Sequence, residues 1–494
     1  MAIPDIRTLA ARILDHDVFA GLDKQALVDR YDASRATARI NQTRGAPSGQ
    51  APARGGTIDL IPASGWVIDQ PGTYTLAGDL TWAPECGPGA AIVIRADGVV
   101  LDLGGHVLSA TIQDSAGHFT GILVQEAAGV TIRNGTLAGM CRYGIRAESV
   151  LGLVVENVTV SGMYCTNLTQ RLLTPAGIFV HGAEQVTLDG CAVEWVDVTA
   201  DSAAGIMMIR VAGGTVNGCR ISQLVNRDGA AQGIGYIGCT DIQTTACVVE
   251  DVRTHFAGNI RASGHTVLGF CPIFCVGLRY ADCEAVRMTG CVDDTHGMSV
   301  FLDAEVTVEN FTARHVTDGV TPERTGAKAT GLEVYGVAVS VTDCAVSHIK
   351  AIVPQDRQAA GFSAWGAGIT FTRCSATDVT ACDAAGHPDT GYGLGVGFGW
   401  APDPRPEFRQ VGAYGVIYEA CRAEACQVGF DSWFHVDGRW IWCTAEDCPV
   451  QWLQEPGGTR TISGNPASEC NPPITVTLTN IASGNLWEGG PETE

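Results

Sequence analysis

Gly177-Ile-Phe-Val-His-Gly-Ala-Glu-Gln-Val186-Thr-Leu-Asp-Gly-Cys191 holds two short runs that alternate apolar residues with others, and neither run is long enough for a helix. The first run recurs along the chain. It returns as Gly121-Ile-Leu-Val, Gly144-Ile-Arg-Ala, Gly205-Ile-Met-Met and Gly233-Ile-Gly-Tyr, then as Gly277-Leu-Arg-Tyr, Gly297-Met-Ser-Val, Gly331-Leu-Glu-Val, Gly361-Phe-Ser-Ala and Gly429-Phe-Asp-Ser. The second run follows about nine residues later, as Val130-Thr-Ile-Arg-Asn, Val154-Val-Glu-Asn and Val306-Thr-Val-Glu-Asn. From Gly121 to Gly361 successive glycines stand 20 (277 to 297) to 44 (233 to 277) residues apart, and one coil before Gly429 aligns only loosely. Two strands at a fixed offset with a variable remainder describe stacked coils, whose insertions leave through one set of turns. Parallel stacking satisfies the backbone from coil to coil, and alternation sends every second side chain inward.

The 494 residues include 61 Gly and only 17% charged residues, which suits many short strands and tight turns. A net charge of −22 leaves no basic footprint for nucleic acid, so no nucleic-acid partner is expected. No apolar run is long enough to span a membrane, and none is expected to. Met1-Ala-Ile-Pro-Asp-Ile-Arg lacks a basic segment followed by an apolar one, which points to a cytoplasmic location. Three regions are expected: 1–55, a helical N-terminal segment (Ile6, Leu9, Ile13, then Leu22, Leu27, Tyr31) and a linker; 56–455, the coils; 456–494, a strand at Ile474 to Leu478 and an acidic tail. The N-terminal helices offer a surface for a homo-oligomer.

The 19 cysteines follow the repeat. Cys191, Cys219, Cys247, Cys291, Cys344, Cys374, Cys421 and Cys443 end the second run, where Gly135, Val158 and Phe311 stand in other coils. A place shared by Cys, Val, Phe and Gly is interior, so these read as reduced packing thiols. Cys271-x-x-x-Cys275, near Cys283, falls outside the pattern, with a metal or redox site as its other reading. No His stands at zinc spacing, so neither metal nor cofactor is expected.

Residues 67–107, with Pro71-Gly-Thr-Tyr-Thr-Leu-Ala-Gly-Asp-Leu and Val100-Leu-Asp-Leu-Gly-Gly-His, resemble the opening coils of right-handed parallel β-helix repeat proteins of the pectin-lyase-like superfamily. The resemblance covers roughly residues 57–455. It implies an all-β, right-handed parallel β-helix of about 11–12 coils, and an activity drawn from a wide set: polysaccharide lyases, glycoside hydrolases, uronate epimerases, binding proteins. His296-Gly-Met-Ser-Val after Asp293-Asp294 is similar to fragments of the polygalacturonase pattern. The Asn-Thr-Asp and Arg-Ile-Lys elements of that pattern are missing, as is the Asp-Pro-His motif of alginate epimerases, so no member's catalytic set is carried over.

The site is therefore argued from alternation. Two residues after each glycine, the outward column reads Leu123, Arg146, Phe179, Met207, Gly235, Arg279, Ser299, Glu333, Ser363 and Asp431. Four after, the later coils bring Phe301, Tyr335, Trp365 and Trp433 to one exterior face, with Trp400 from a loosely aligned coil. Aligned exterior aromatics suit a sugar face or an apolar ligand. They equally suit a second core beneath the insertions at 313–330, 348–360, 376–393 and 401–413. Glu333, Asp431 and His435 are the acid–base candidates, and Arg279 the anion or oxyanion partner. His435, two past Trp433, is expected to face outward. His181, His255, Arg261 and His296 are secondary. The expected function is a carbohydrate- or glycoside-active hydrolase, lyase or epimerase with a glycan or small-molecule substrate. The alternatives are a lyase, isomerase or cyclase on a small apolar metabolite, and a noncatalytic binding solenoid.

Overall fold

The computed structural model describes residues 6–15, 24–25, 55–84, 89–111, 119–165, 174–255, 266–291, 294–319, 328–352, 359–383, 395–399, 413–432, 435–454, 461–463, 479–480 and 485–488. The chain divides into two compact units: Met1–Thr8 with Gln25–His265, and Leu9–Lys24 with Thr266–Glu494. Each is a parallel β-solenoid, and the two hold about 10 turns, close to the number expected.

In the first unit the glycine-initiated strands stack in exact register. Ile122, Ile145, Ile178, Ile206 and Ile234 form one buried isoleucine ladder. In the second unit the same interior place holds Met298, Leu332, Phe362, Phe398 and Phe430. Phe398 lies 4.8 Å from Phe362 and 5.1 Å from Phe430, centroid to centroid. A parallel sheet spaces strands about 4.8 Å apart, so rings stacked on successive coils meet face to face.

The glycine is required by proximity. A Cβ at Gly331 would stand 2.7 Å from the carbonyl oxygen of Gly361, and one at Gly361 would stand 2.5 Å from that of Gly397. By this criterion the ladder glycine of one coil is Gly397, within Gly395-Val-Gly-Phe-Gly. The coil assigned to Gly277 starts instead at Gly269, whose Cβ would stand 2.3 Å from the Gly297 carbonyl.

The turn before each ladder thiol is left-handed: φ is +59° at Gly190, +58° at Gly218, +54° at Asp343 and +51° at Arg373. The thiols that follow donate to a carbonyl of the preceding coil, Cys247 to Val216 at 3.4 Å, Cys374 to Val341 at 3.5 Å and Cys443 to Tyr418 at 3.3 Å. Burial pushes the Cys421 thiol well above its ordinary value. Cys283, not Cys291, holds the ladder place in its coil, since Asp282 supplies the left-handed turn and the Cys283 carbonyl accepts the Thr312 N–H.

The N-terminal segment contributes the helix Ile6–Leu14. Its Leu9, Ala10, Ile13 and Leu14 are buried within the chain, and Arg12 pairs with Glu305. The strand expected at Ile474 to Leu478 lies outside the described residues. Among the described residues no helix is long and apolar enough to cross a membrane.

Candidate functional site

The second unit gathers polar side chains on the outward face of its glycine-initiated strands. Strands Asp294–Glu309, Lys328–Thr342 and Ala359–Thr372 pair with Ser299, Glu333 and Ser363 side by side, and Phe301, Tyr335 and Trp365 side by side. The rings follow one another at 5.2 and 5.8 Å. Both columns are those expected from alternation, but the rings are buried: Phe301 is 6%, Tyr335 2% and Trp365 1% exposed. Of the two arrangements the alternation allows, the rings are in the covered one. The insertion residues 320–327, 353–358, 384–393 and 401–412, like Trp400 and Trp433, lie outside the described residues.

Glu333 is the centre of a buried cluster. Lys328 Nζ forms an ion pair with its Oε1, Ser299 Oγ donates to Oε2 at 3.3 Å, and His296 Nδ1 stands 3.7 Å from Oε2. The Lys328 side chain is 2% exposed, that of His296 3% and that of Glu333 8%. Beside them the Trp365 indole donates to Ser363 Oγ at 3.2 Å. Asp303, just past a left-handed Leu302, accepts the Cys275 N–H at 2.5 Å. Burial raises its carboxyl well above the ordinary carboxylate range. Cys271, one residue past the Phe270–Met298 pair, is raised by burial and then by the carboxylates of Asp303 and Glu333.

Asp431 continues the Glu333 column, beyond Ser363 and Gly399, and is fully buried. Three strand steps separate it from Glu333, about 14 Å at the parallel spacing. Two candidates are displaced. His435 does not face outward: it pairs alongside Ala413, its Nε2 is 3.0 Å from the Tyr418 hydroxyl, and its ring packs on Tyr418 and Trp440. The cause is a new strand starting at His435, which ends the alternation running from Gly429. Arg279 lies on the second strand of its coil, opposite Thr307, with its side chain 57% exposed and bonded to Glu309 at 2.7 Å. It belongs to the ladder of exposed Arg–carboxylate pairs, with Arg314–Glu284 and Arg373–Asp343.

The sequence does not single out Lys328, Asp303 or Ser299 as site residues, and it ranks His296 only as a secondary candidate. One signal was present: Asp294 and Lys328 put opposite charges three residues before successive ladder glycines, and the two are in register. Among the described residues no group of His, Cys, Asp and Glu has the arrangement of a metal site.

The family of right-handed β-helix regions matches residues 97–258. Comparison with curated protein sequences gives no match. Solved structures similar to the chain include the mannuronan C-5 epimerase A-module of Azotobacter vinelandii, at 13% identity and TM-score 0.34 over 80% of this chain and 91% of that one. They also include a polygalacturonase from Erwinia carotovora, at 11% and 0.33 over 77% and 96%. A third is an endo-xylogalacturonan hydrolase from Aspergillus tubingensis, at 12% and 0.30 over 76% and 92%. With glycine-started strands stacked in parallel register in each unit, and a family match over residues 97–258, the fold is that of a right-handed parallel β-helix.

Proposed function

We propose that the second unit carries a proton-transferring site acting on a carbohydrate or glycoside. Its class is lyase or epimerase rather than hydrolase. The observation that carries this reading is the Lys328–Glu333–His296 cluster set against the Phe301–Tyr335–Trp365 stack. Burying an ion pair on the outside of a solenoid brings several kcal/mol of desolvation per ion, which an apolar pair avoids. Chemistry is a reason to retain it. Glu333 is the proton acceptor, His296 the second proton-transfer group, and Lys328 the fixed positive charge opposite developing negative charge on a substrate oxygen. The aromatic stack supplies a flat wall for a ring. Two-carboxylate hydrolysis is disfavoured because Asp431 is about 14 Å from Glu333 by strand spacing, beyond the roughly 5–9.5 Å such pairs use.

A second reading, a lyase, isomerase or cyclase on a small apolar metabolite, draws support from one observation. Tyr335 and Trp365 are at most 2% exposed, which favours a compact substrate over a polymer. Reaction in D2O tests both. Hexuronate disaccharides and their aryl glycosides form one panel, small cyclic enones the other. Product mass reports deuterium uptake, and ultraviolet absorbance reports a new conjugated double bond. Turnover is expected on the sugar panel, with Glu333→Gln and His296→Ala each losing at least about a hundredfold. Turnover on the enones alone transfers the assignment to the second reading. Full activity in both variants removes the site.

A further inference from the structure

The first unit carries a buried cation, Arg142, that forms no ion pair among the described residues. Strand Tyr143–Glu148 puts Tyr143 and Arg146 on the outward face of the coil, and Arg142 immediately precedes it. Arg142 is 2% and Arg146 6% exposed. Both guanidiniums lie against the Tyr143 ring, at 4.9 and 5.3 Å from its centroid. The one carboxylate beside them, Glu148, is engaged by Arg146, which donates to its Oε1 through Nε at 3.0 Å and Nη2 at 2.5 Å. The Arg142 guanidinium has the Tyr143 side chain as its hydrogen-bond partner, its Nε is buried without one, and among the described residues no carboxylate forms an ion pair with it. Burial holds the Arg142 guanidinium below its ordinary value, and the neighbouring Arg146 charge acts the same way.

Two cations and one anion leave a single positive charge out of water. A buried charge persists where something pairs with it, and among the described residues no second carboxylate does. The cation–π contact with Tyr143 is a partial substitute. The fork of a guanidinium fits a carboxylate through two parallel bonds. The surroundings select what carries that carboxylate. Tyr143 packs on Phe179 at 5.0 Å, and Ala176, Ala204 and Met207 complete a buried apolar cluster along the same face. We infer that this face of the first unit binds a small carboxylic acid with an apolar body, its carboxylate on Arg142 and its body on the Tyr143–Phe179–Met207 floor.

Titration calorimetry and thermal melting of the full chain, at matched ionic strength, test this with sodium phenylacetate, sodium octanoate, sodium glucuronate and inorganic phosphate. Saturable binding of phenylacetate or octanoate is expected, with a melting temperature that rises with ligand concentration. Arg142→Met is expected to abolish both, while its ligand-free melting temperature equals or exceeds that of the wild type, since it removes an uncompensated charge. Arg142→Lys keeps the charge and loses the fork, and is expected to bind on the order of tenfold more weakly. The inference is overturned if neither apolar carboxylate binds the wild type, or if Arg142→Met still binds. It is equally overturned if glucuronate or phosphate binds as well as the apolar acids, because the floor then selects nothing. A purely structural Arg142 would show as a fall in ligand-free melting temperature with no ligand effect to lose.

Discussion

At the scale of single residues, neighbours decide what Glu333 and Asp303 do. Glu333 and Lys328 are buried together, so removing one charge leaves the other stranded. Glu333→Gln is expected to lower unfolding free energy by about 3–5 kcal/mol. The double variant Glu333→Gln with Lys328→Met should recover most of that loss in urea titration while remaining inactive. A double variant no more stable than the single one would mean that the pair is not the cause. Asp303 gives a pH test. Its carboxyl is raised from the ordinary 3.8, so the folded chain keeps a proton that the unfolded chain releases. This contribution to stability is complete below 3.8 and is lost as pH rises toward the folded value. Asp303→Asn should flatten the decline in melting temperature across that window, and an unchanged slope would locate the titration elsewhere.

Elements are held by coil-to-coil contact, and the glycine ladder is the least forgiving part. Gly361→Ala places a methyl 2.5 Å from the Gly397 carbonyl and close to Ala376. It is expected to cost about 1–3 kcal/mol, the range of an overpacked core. Gly78→Ala meets nothing within 4 Å and should stay within about 0.5 kcal/mol of wild type. Equal effects of the two in urea titration would overturn the proximity argument. The same contact separates what was legible from what was not. Ser299, Glu333 and Ser363 fall in one column because alternation holds without interruption from each ladder glycine. His435 and Arg279 were misplaced because a turn intervenes: alternation carries no information across a corner, where the chain resets its direction.

For the whole molecule, the cysteine usage is a packing device. The 17 described cysteines form no disulfide with one another, and all of them except Cys291 are buried. Maleimide labelling of the native protein should modify Cys291 first among these, and the ladder thiols only after urea is added. Prompt native labelling of Cys344 or Cys374 would contradict the interior assignment. Burial also divides the charged residues into two populations. The exposed Arg–carboxylate pairs are screened by solvent and contribute little each. Lys328, Glu333 and Arg142 are out of water, and it is on them that a functional reading rests.

By itself the sequence determined the repeat, the parallel stacking, the interior column and the outward neighbours of Glu333 and Tyr335. Each follows from period-two alternation counted from a glycine that has no room for a Cβ. Tertiary structure alone decided which outward residues are buried, that Lys328 and His296 meet Glu333, and that Arg142 has no carboxylate of its own among the described residues. Burial and pairing depend on what lies across space from a strand, and a repeat along the chain records only what lies beside it.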